Sequence, residues 1–155
     1  CFAAAAAMGV EALRDTTSAA LEAADLPALA KRRARHVVGE NERVFEAIEA
    51  LRAGHGEKLG QLMTASHRSS MENFENSTPE LDLLVELATQ QKGCLGARLT
   101  GGGFGGAIVA LVEQDAVEDV LKNVKSVYDT QTGYSAAGYR CRAGAGALPP
   151  DHDQA

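Results

Sequence analysis

The sequence predicts an α+β fold, an antiparallel sheet with helices packed on one face. Three observations lead there. Up to about residue 90 the apolar residues recur at helical spacing, Cys94–Thr100 and Ala107–Val112 read as two strands, and a helical period returns from Val117 to Tyr128. Only Gly101 to Gly106 separate the strands. That is too little chain for the crossover a parallel pair requires, so they are expected to pair as antiparallel neighbours.

Each element has a local reason. Phe2 to Leu13 is alanine-rich and helix-prone, and Asp15-Thr16-Thr17-Ser18 offers an N-cap for a further short helix through Asp25, before Pro27. From about Leu29, the residues Val37, Val38, Val44, Phe45, Ile48 and Leu51 keep helical spacing until Gly54-His55-Gly56 ends it. This long amphipathic helix is expected to lay Val44, Phe45 and Ile48 against the sheet beside Leu81, Leu84 and Val85. Leu59, Leu62, Met63 and Ser66 give another helix, running toward Met71, with its break at Asn73 to Asn76. In "STPELDLLVELATQQKG" Thr78 can cap, Pro79 suits the first helical position and Glu80 sits in the first turn, with Leu81, Leu84, Val85 and Ala88 on the buried face. Ala107–Val112 is nearly continuously apolar, the pattern of a buried strand. Asp115 and Glu118 have capping-box spacing ahead of Val117, Val120, Leu121, Val124, Val127 and Tyr128. Tyr139-Arg140-Cys141 reads as a short third strand. The domain is expected to span residues 1–147, leaving 148–155 as a flexible tail.

At 155 residues, 45% hydrophobic and 23% charged, the chain has the size and composition of one globular domain with one core. Lys and Arg number 15 against 21 for Asp and Glu, a balance that argues against general affinity for nucleic acid or acidic membranes. Cys1, Cys94 and Cys141 match no zinc or redox spacing and are expected to be reduced thiols in a cytoplasmic protein. No window reaches the roughly 18 apolar residues of a membrane helix, and "CFAAAAAMGV" lacks the flanks of a signal peptide. Opening on Cys1 and an alanine run, the chain is expected to be a piece of something longer.

The stretch "GGGFGG", Gly101 to Gly106, concentrates backbone freedom that is unfavourable to order unless positive φ or close approach requires it. It formally satisfies G-x-G-x-x-G, but a dinucleotide fingerprint opens a helix, and here a strand follows. A Walker A loop needs a lysine followed by Ser or Thr, which is absent. Two readings remain. The loop either presents several N–H groups to phosphate oxygens as a nest, or it is a hairpin tip where another backbone packs closely. Phe104 is expected to dock its ring and so fix the loop.

"GARLTGGGFGGAIVALV", Gly96 to Val112, resembles the third conserved motif of the GHMP small-molecule kinases in its galactokinase version. "RRARHVVGENERV" at Arg32 to Val44, "SHRSS" at Ser66 to Ser70, "STPELDLLV" at Ser77 to Val85 and "YRCRAGAGA" at Tyr139 to Ala147 resemble galactokinase segments in galactokinase order. The resemblance implies a parent enzyme that uses ATP and Mg to phosphorylate the anomeric hydroxyl of galactose or a related sugar. It also implies that the catalytic residues, the nucleotide loop and the sugar-binding segment lie in an amino-terminal half not found here. This chain would then supply Thr100, Gly101, Gly102, Gly103, Phe104, Gly105 and Gly106 as the wall that closes the site, and be inactive alone. Thr100 would hydrogen-bond within the loop, and Arg98 would pair with a neighbouring carboxylate, or either would be a plain surface residue. Departures from the family, namely Thr78-Pro79 for Cys-Pro, Ala107 for cysteine, Leu99 for methionine, the polar "RSSMENFENS" and "CRAGAGA" without Pro-Ser, bear on the exact sugar more than on the family.

Other conspicuous residues have plainer readings. "KRRARH", Lys31 to His36, is followed on one helix by Glu40, Glu42, Glu46 and Glu49 and is expected to form a solvated, salt-bridged helix. His36, His55, His67 and His152 lack the mutual spacing of metal ligands, so no metal site is expected. Glu80 and Asp82 are expected to complement a helix dipole. Two rivals to the kinase reading are a stand-alone small-molecule-binding or dimerising domain and a galactokinase-like sensor.

Overall fold

The computed structural model describes residues 1–144 of the chain. Helix α1 (Phe2–Ala7) is shorter than its alanine content suggests, because Gly9 turns the chain away at φ 68° and Leu13–Asp15 resume only as a 3₁₀ turn. Thr17 caps α2 (Ser18–Ala23), its side chain accepting from the Ala20 amide at 3.2 Å. The 25-residue helix α3 (Ala28–Arg52) follows, then α4 (Gly56–Ser69), which widens into a π turn at Ser70–Phe74. Thr78 caps α5 (Pro79–Thr89) with Pro79 in its first turn.

Strands β1 (Cys94–Thr100) and β2 (Ala107–Val112) form an antiparallel pair with Leu99 opposite Ile108 and Thr100 opposite Ala107. Helix α6 (Val117–Thr132) then starts at Ala116 with no side-chain cap, so Asp115 does not close the expected box. Gly133 ends α6 in the left-handed region. The fold is α+β, and helices cover one face of the sheet. Val85 and Ala88 of α5 and Val124 of α6 pack on Ala97, Ile108 and Ala110.

The opposite face is open. Val109 is 47% exposed and Ala107 is also exposed, so β2 is not the buried strand its composition suggested. An apolar run does not report how many layers cover it, only that it tolerates them. The segment Tyr139-Arg140-Cys141 is not a strand; it continues from Gly138, which lies against Leu121 of α6, and Arg140 stands 4.0 Å from Glu118. The proposed tail, 148–155, and the end of the 1–147 domain lie outside the described residues.

Two buried clusters stand where one core was expected. Besides the sheet cluster, Ala4, Ala5, Leu13 and Leu21 pack on Ala34 and Val38 of α3. At 1.5 Å per residue α3 is roughly 37 Å long, enough to pass from one cluster to α4 and the π turn near the other. Its second half turns an unexpected side inward. Glu40, Arg43 and Ala47 are partly covered and Ala50 is buried, whereas Val44 and Phe45 face solvent, Phe45 at 70% exposure. The reason is polar. Glu40 accepts from Ser66 Oγ of α4 at 2.6 Å and from Arg43 Nε at 2.5 Å, and the small residues 47 and 50 follow on the same stripe. Phe45→Ala is therefore expected to change stability by no more than about 0.5 kcal/mol, the surface range, rather than the roughly 3–5 kcal/mol of a buried aromatic. Urea unfolding of the two chains decides it.

Helix α4 runs along the edge of β1 that β2 leaves free. Gly60, Thr64 and His67 lie on one stripe of the helix and meet β1 in order. A Cβ built at Gly96 would fall 2.6 Å from Gly60 Cα and nearer still to the Gly60 carbonyl, so the two backbones touch. Further along, the amide of Ala97 donates to Thr64 Oγ1 at 3.4 Å and that of Leu99 to His67 Nδ1 at 3.3 Å. An edge strand with unpaired N–H groups is thus covered by a helix that supplies the acceptors.

A candidate phosphate-facing glycine loop

Residues Gly101 to Gly106 join β1 to β2 with Gly101, Gly103, Gly105, Gly106 and also Phe104 at positive φ. What fixes this backbone is not the Phe104 ring. That side chain is 75% exposed, at the rim of a cavity of about 300 Å³ with Leu81, Leu84, Tyr128 and Tyr134. The Phe104 amide does the anchoring, donating 2.7 Å to the carbonyl of Asn76. Asn76 Nδ2 in turn donates to the Gly102 carbonyl at 3.1 Å. Between these two bonds Gly103 lies flat on Asn76. A Cβ there would stand 2.8 Å from Asn76 Nδ2 and closer to its carbonyl oxygen, and φ of 82° is itself unfavourable for a side chain.

Asn76 is held from behind. The π turn ends with Glu75 in the left-handed region, and the amides of Glu75 and Asn76 both donate to the Ser70 carbonyl. Arg33 of α3 donates to the Asn73 carbonyl and to the Glu75 carboxylate, which Arg32 also meets. A π turn inside a helix is uncommon and frequently sits at functional sites. Here it carries Asn76 to the glycine loop.

His67 and Asp82 support the same end of β1. Because His67 Nδ1 accepts from Leu99, the ring proton lies on Nε2, which faces Asp82 Oδ1 at 3.3 Å, off the line of a good hydrogen bond. Burial pulls the imidazole below its usual pKa, the nearby Asp82 charge opposing that shift, so the ring is neutral at pH 7. Asp82 also accepts from Ser77 Oγ. It is therefore more than a helix-dipole charge, tying the start of α5 to α4.

Arg98 and Thr100 lie on the open face of the sheet. Thr100 is exposed, and the side-chain bonds around the loop come from Asn76 instead. Arg98 points toward Glu40, Nη2 to Oε2 3.7 Å, and its Nε donates to the Leu99 carbonyl at 3.2 Å. Burial raises the Glu40 pKa, but the hydrogen bonds from Ser66 and Arg43 more than offset this and hold it below the ordinary carboxylate range. Arg98 thus belongs to the α3–α4–β1 polar contact, away from the loop amides. The "KRRARH" cations find acids from other elements rather than along their own helix. Arg35 pairs with Glu22, Lys31 reaches the same carboxylate, and Arg32 and Arg33 meet Glu75.

Among the described residues no protein group accepts from the amides of Gly101, Gly102, Gly103, Gly105 or Gly106, and a Cβ at Gly101, Gly102, Gly105 or Gly106 would meet nothing within 4 Å. The loop therefore exposes N–H groups around one anchored residue, an arrangement able to meet an anion's oxygens. Sequence reading located the loop but missed Asn76, Thr64 and His67. Thr64 and His67 share a helical face with Gly60, whereas Asn76 stands in a run of polar residues that carries no local signal.

Fold and loop define an α+β domain that presents an amide-lined hairpin from a helix-covered sheet. The chain belongs to the GHMP kinase family: the model for "GHMP kinases C terminal" matches residues 47–130. It is 48% identical over 149 residues to a galactokinase of Actinobacillus pleuropneumoniae, covering 92% of this chain and 39% of that protein. A galactokinase of Mannheimia succiniciproducens is 48% identical over 152 residues, with 94% of this chain and 40% of that protein covered. The crystal structure of Lactococcus lactis galactokinase complexed with galactose superposes with a TM-score of 0.79 at 40% identity, over 83% of this chain and 34% of that one. The chain spans about two fifths of the length of these curated relatives.

Proposed function

We propose that this chain is the carboxy-terminal part of a galactokinase-like sugar kinase, which moves the γ-phosphoryl of ATP to the anomeric hydroxyl of galactose. The observation that carries the reading is the 48% identity to galactokinases along almost the whole chain. The open amides of the glycine loop support it chemically. Phosphoryl transfer depends on positioning and on neutralising charge spread over the transferring oxygens, and backbone N–H groups fixed in advance serve both ends.

In this reading Gly101 to Gly106 form the wall that faces phosphate and sugar, and Asn76 with His67 keeps that wall in place. When bound, magnesium supplies charge neutralisation at the phosphates. The resemblance to galactokinases assigns its ligands to the other half. Catalytic residues are assigned there too. The reading places the enzyme in the cytoplasm; among the described residues no helix is long and apolar enough to cross a membrane.

The test compares this chain with its full-length parent in a coupled assay for ADP release with galactose, beside calorimetry against an ATP analogue. The parent is expected to turn over, while the chain alone neither turns over nor binds nucleotide measurably, because proximity worth roughly 7–11 kcal/mol is lost with the other half. Galactose binding by the parent without turnover would identify a sensor. Turnover by the chain alone would overturn the division of labour.

A further inference from the structure

We propose that Asn76 is a positioning residue for phosphoryl transfer: it clasps the glycine loop at two consecutive peptide groups and holds its free amides toward the substrate. The inference rests on the kinase reading above for its catalytic part only. Three observations meet at this one residue. Its carbonyl takes the Phe104 amide, its side-chain amide gives to the Gly102 carbonyl, and Gly103 packs between them without a Cβ. Asn76 is 7% exposed, so these bonds are shielded from water and from competition by it.

The clasp also selects the loop's geometry. With the Gly102 C=O and the Phe104 N–H both drawn toward Asn76, the two peptide groups that flank Gly103 are held directly, and the amides of Gly101, Gly102, Gly103 and Gly105 stay unpartnered among the described residues. Phe104 keeps positive φ, a conformation unfavourable for a bulky residue unless its surroundings impose it. The bond from its own amide to Asn76 supplies that constraint. Behind Asn76, the Arg33 bonds to Asn73 and Glu75 fasten the π turn to α3, so the loop is referenced to the longest helix of the chain. The Asn76 Oδ1 atom is buried without a partner among the described residues, which marks the amide as placed for what its nitrogen donates.

The test uses Asn76→Asp and Asn76→Ala in the full-length protein, with hydrogen exchange on the same variants. Aspartate keeps the shape but, ionised, turns a donor into a charge facing the Gly102 carbonyl. Alanine removes the side-chain bond without that charge and keeps the backbone bond. Both variants are expected to lower kcat about tenfold with KM for galactose within twofold, and to speed exchange of the Phe104 amide, the loop amide that Asn76 accepts, at least tenfold while α3, α5 and α6 exchange as in the wild type. Unchanged kcat, or unchanged loop exchange, in the alanine variant overturns the clasp, as does faster exchange spread evenly through the domain. A wild-type protein that exchanges as expected yet shows no sugar turnover would instead count against the kinase reading, and exchange would still decide whether Asn76 holds the loop.

Discussion

Gly103→Val in the full-length protein lowers kcat by on the order of 100-fold, with far-UV circular dichroism unchanged. The expectation follows from two local facts. Gly103 has φ of 82°, which a β-branched residue adopts only under strain, and its absent Cβ leaves room that Asn76 fills, Nδ2 lying 2.8 Å from where that carbon would stand. Valine must push the loop off Asn76 or the π turn off α3. Either shift displaces the amides by about an ångström, and misplacement of that size has an effect of about 100-fold on a positioned reaction. Gly105 separates the two causes. Its φ is 120°, but a Cβ there would meet nothing, so Gly105→Val strains the loop without striking Asn76. Wild-type kcat in both variants would reduce the loop to a hairpin tip.

Gly96→Ala destabilises the chain by roughly 3 kcal/mol, the upper end for overpacking, read as a lower urea midpoint at unchanged slope. The added carbon would sit 2.6 Å from Gly60 Cα, and backbone cannot rotate aside as a side chain can. Helix α4 must lift from β1, loosening the Thr64 and His67 acceptors from the Ala97 and Leu99 amides. The mirror change, Gly60→Ala, meets the Leu95 carbonyl and the Gly96 amide and behaves alike. Gly56→Ala is the control. Its Cβ would meet only the end of the Leu95 side chain, at 3.2 Å, so a change below about 1 kcal/mol is expected. Equal, small effects at Gly96 and Gly56 would contradict the close helix–strand approach.

Much of the fold was legible because it is set by neighbours in the chain. The Thr17 and Thr78 caps, Pro79 in its first turn, the bounds of both strands and their antiparallel pairing follow from short-range chemistry and the short connection. The glycine loop was legible for the same reason. What misled was burial. Val44, Phe45 and Ile48 have the spacing of a buried stripe, yet a hydrogen bond between Glu40 and Ser66 faces that part of α3 toward α4 and leaves them outside. Likewise the apolar β2 has one face open, and residues 139–141 follow α6 rather than a strand edge.

The sequence by itself determined the order of the elements from α2 to α6, the bounds of β1 and β2, that these strands pair antiparallel, and that a glycine-rich loop joins them. Only the tertiary structure decided which helix faces are interior and what holds the loop. Asn76 lies 26 positions from Gly102, His67 lies 32 from Leu99, and Gly60 touches Gly96 across a similar separation. Such contacts leave no periodicity in the chain. They form because satisfying buried N–H and C=O groups is a condition on the packed arrangement as a whole, one that no single segment can meet alone.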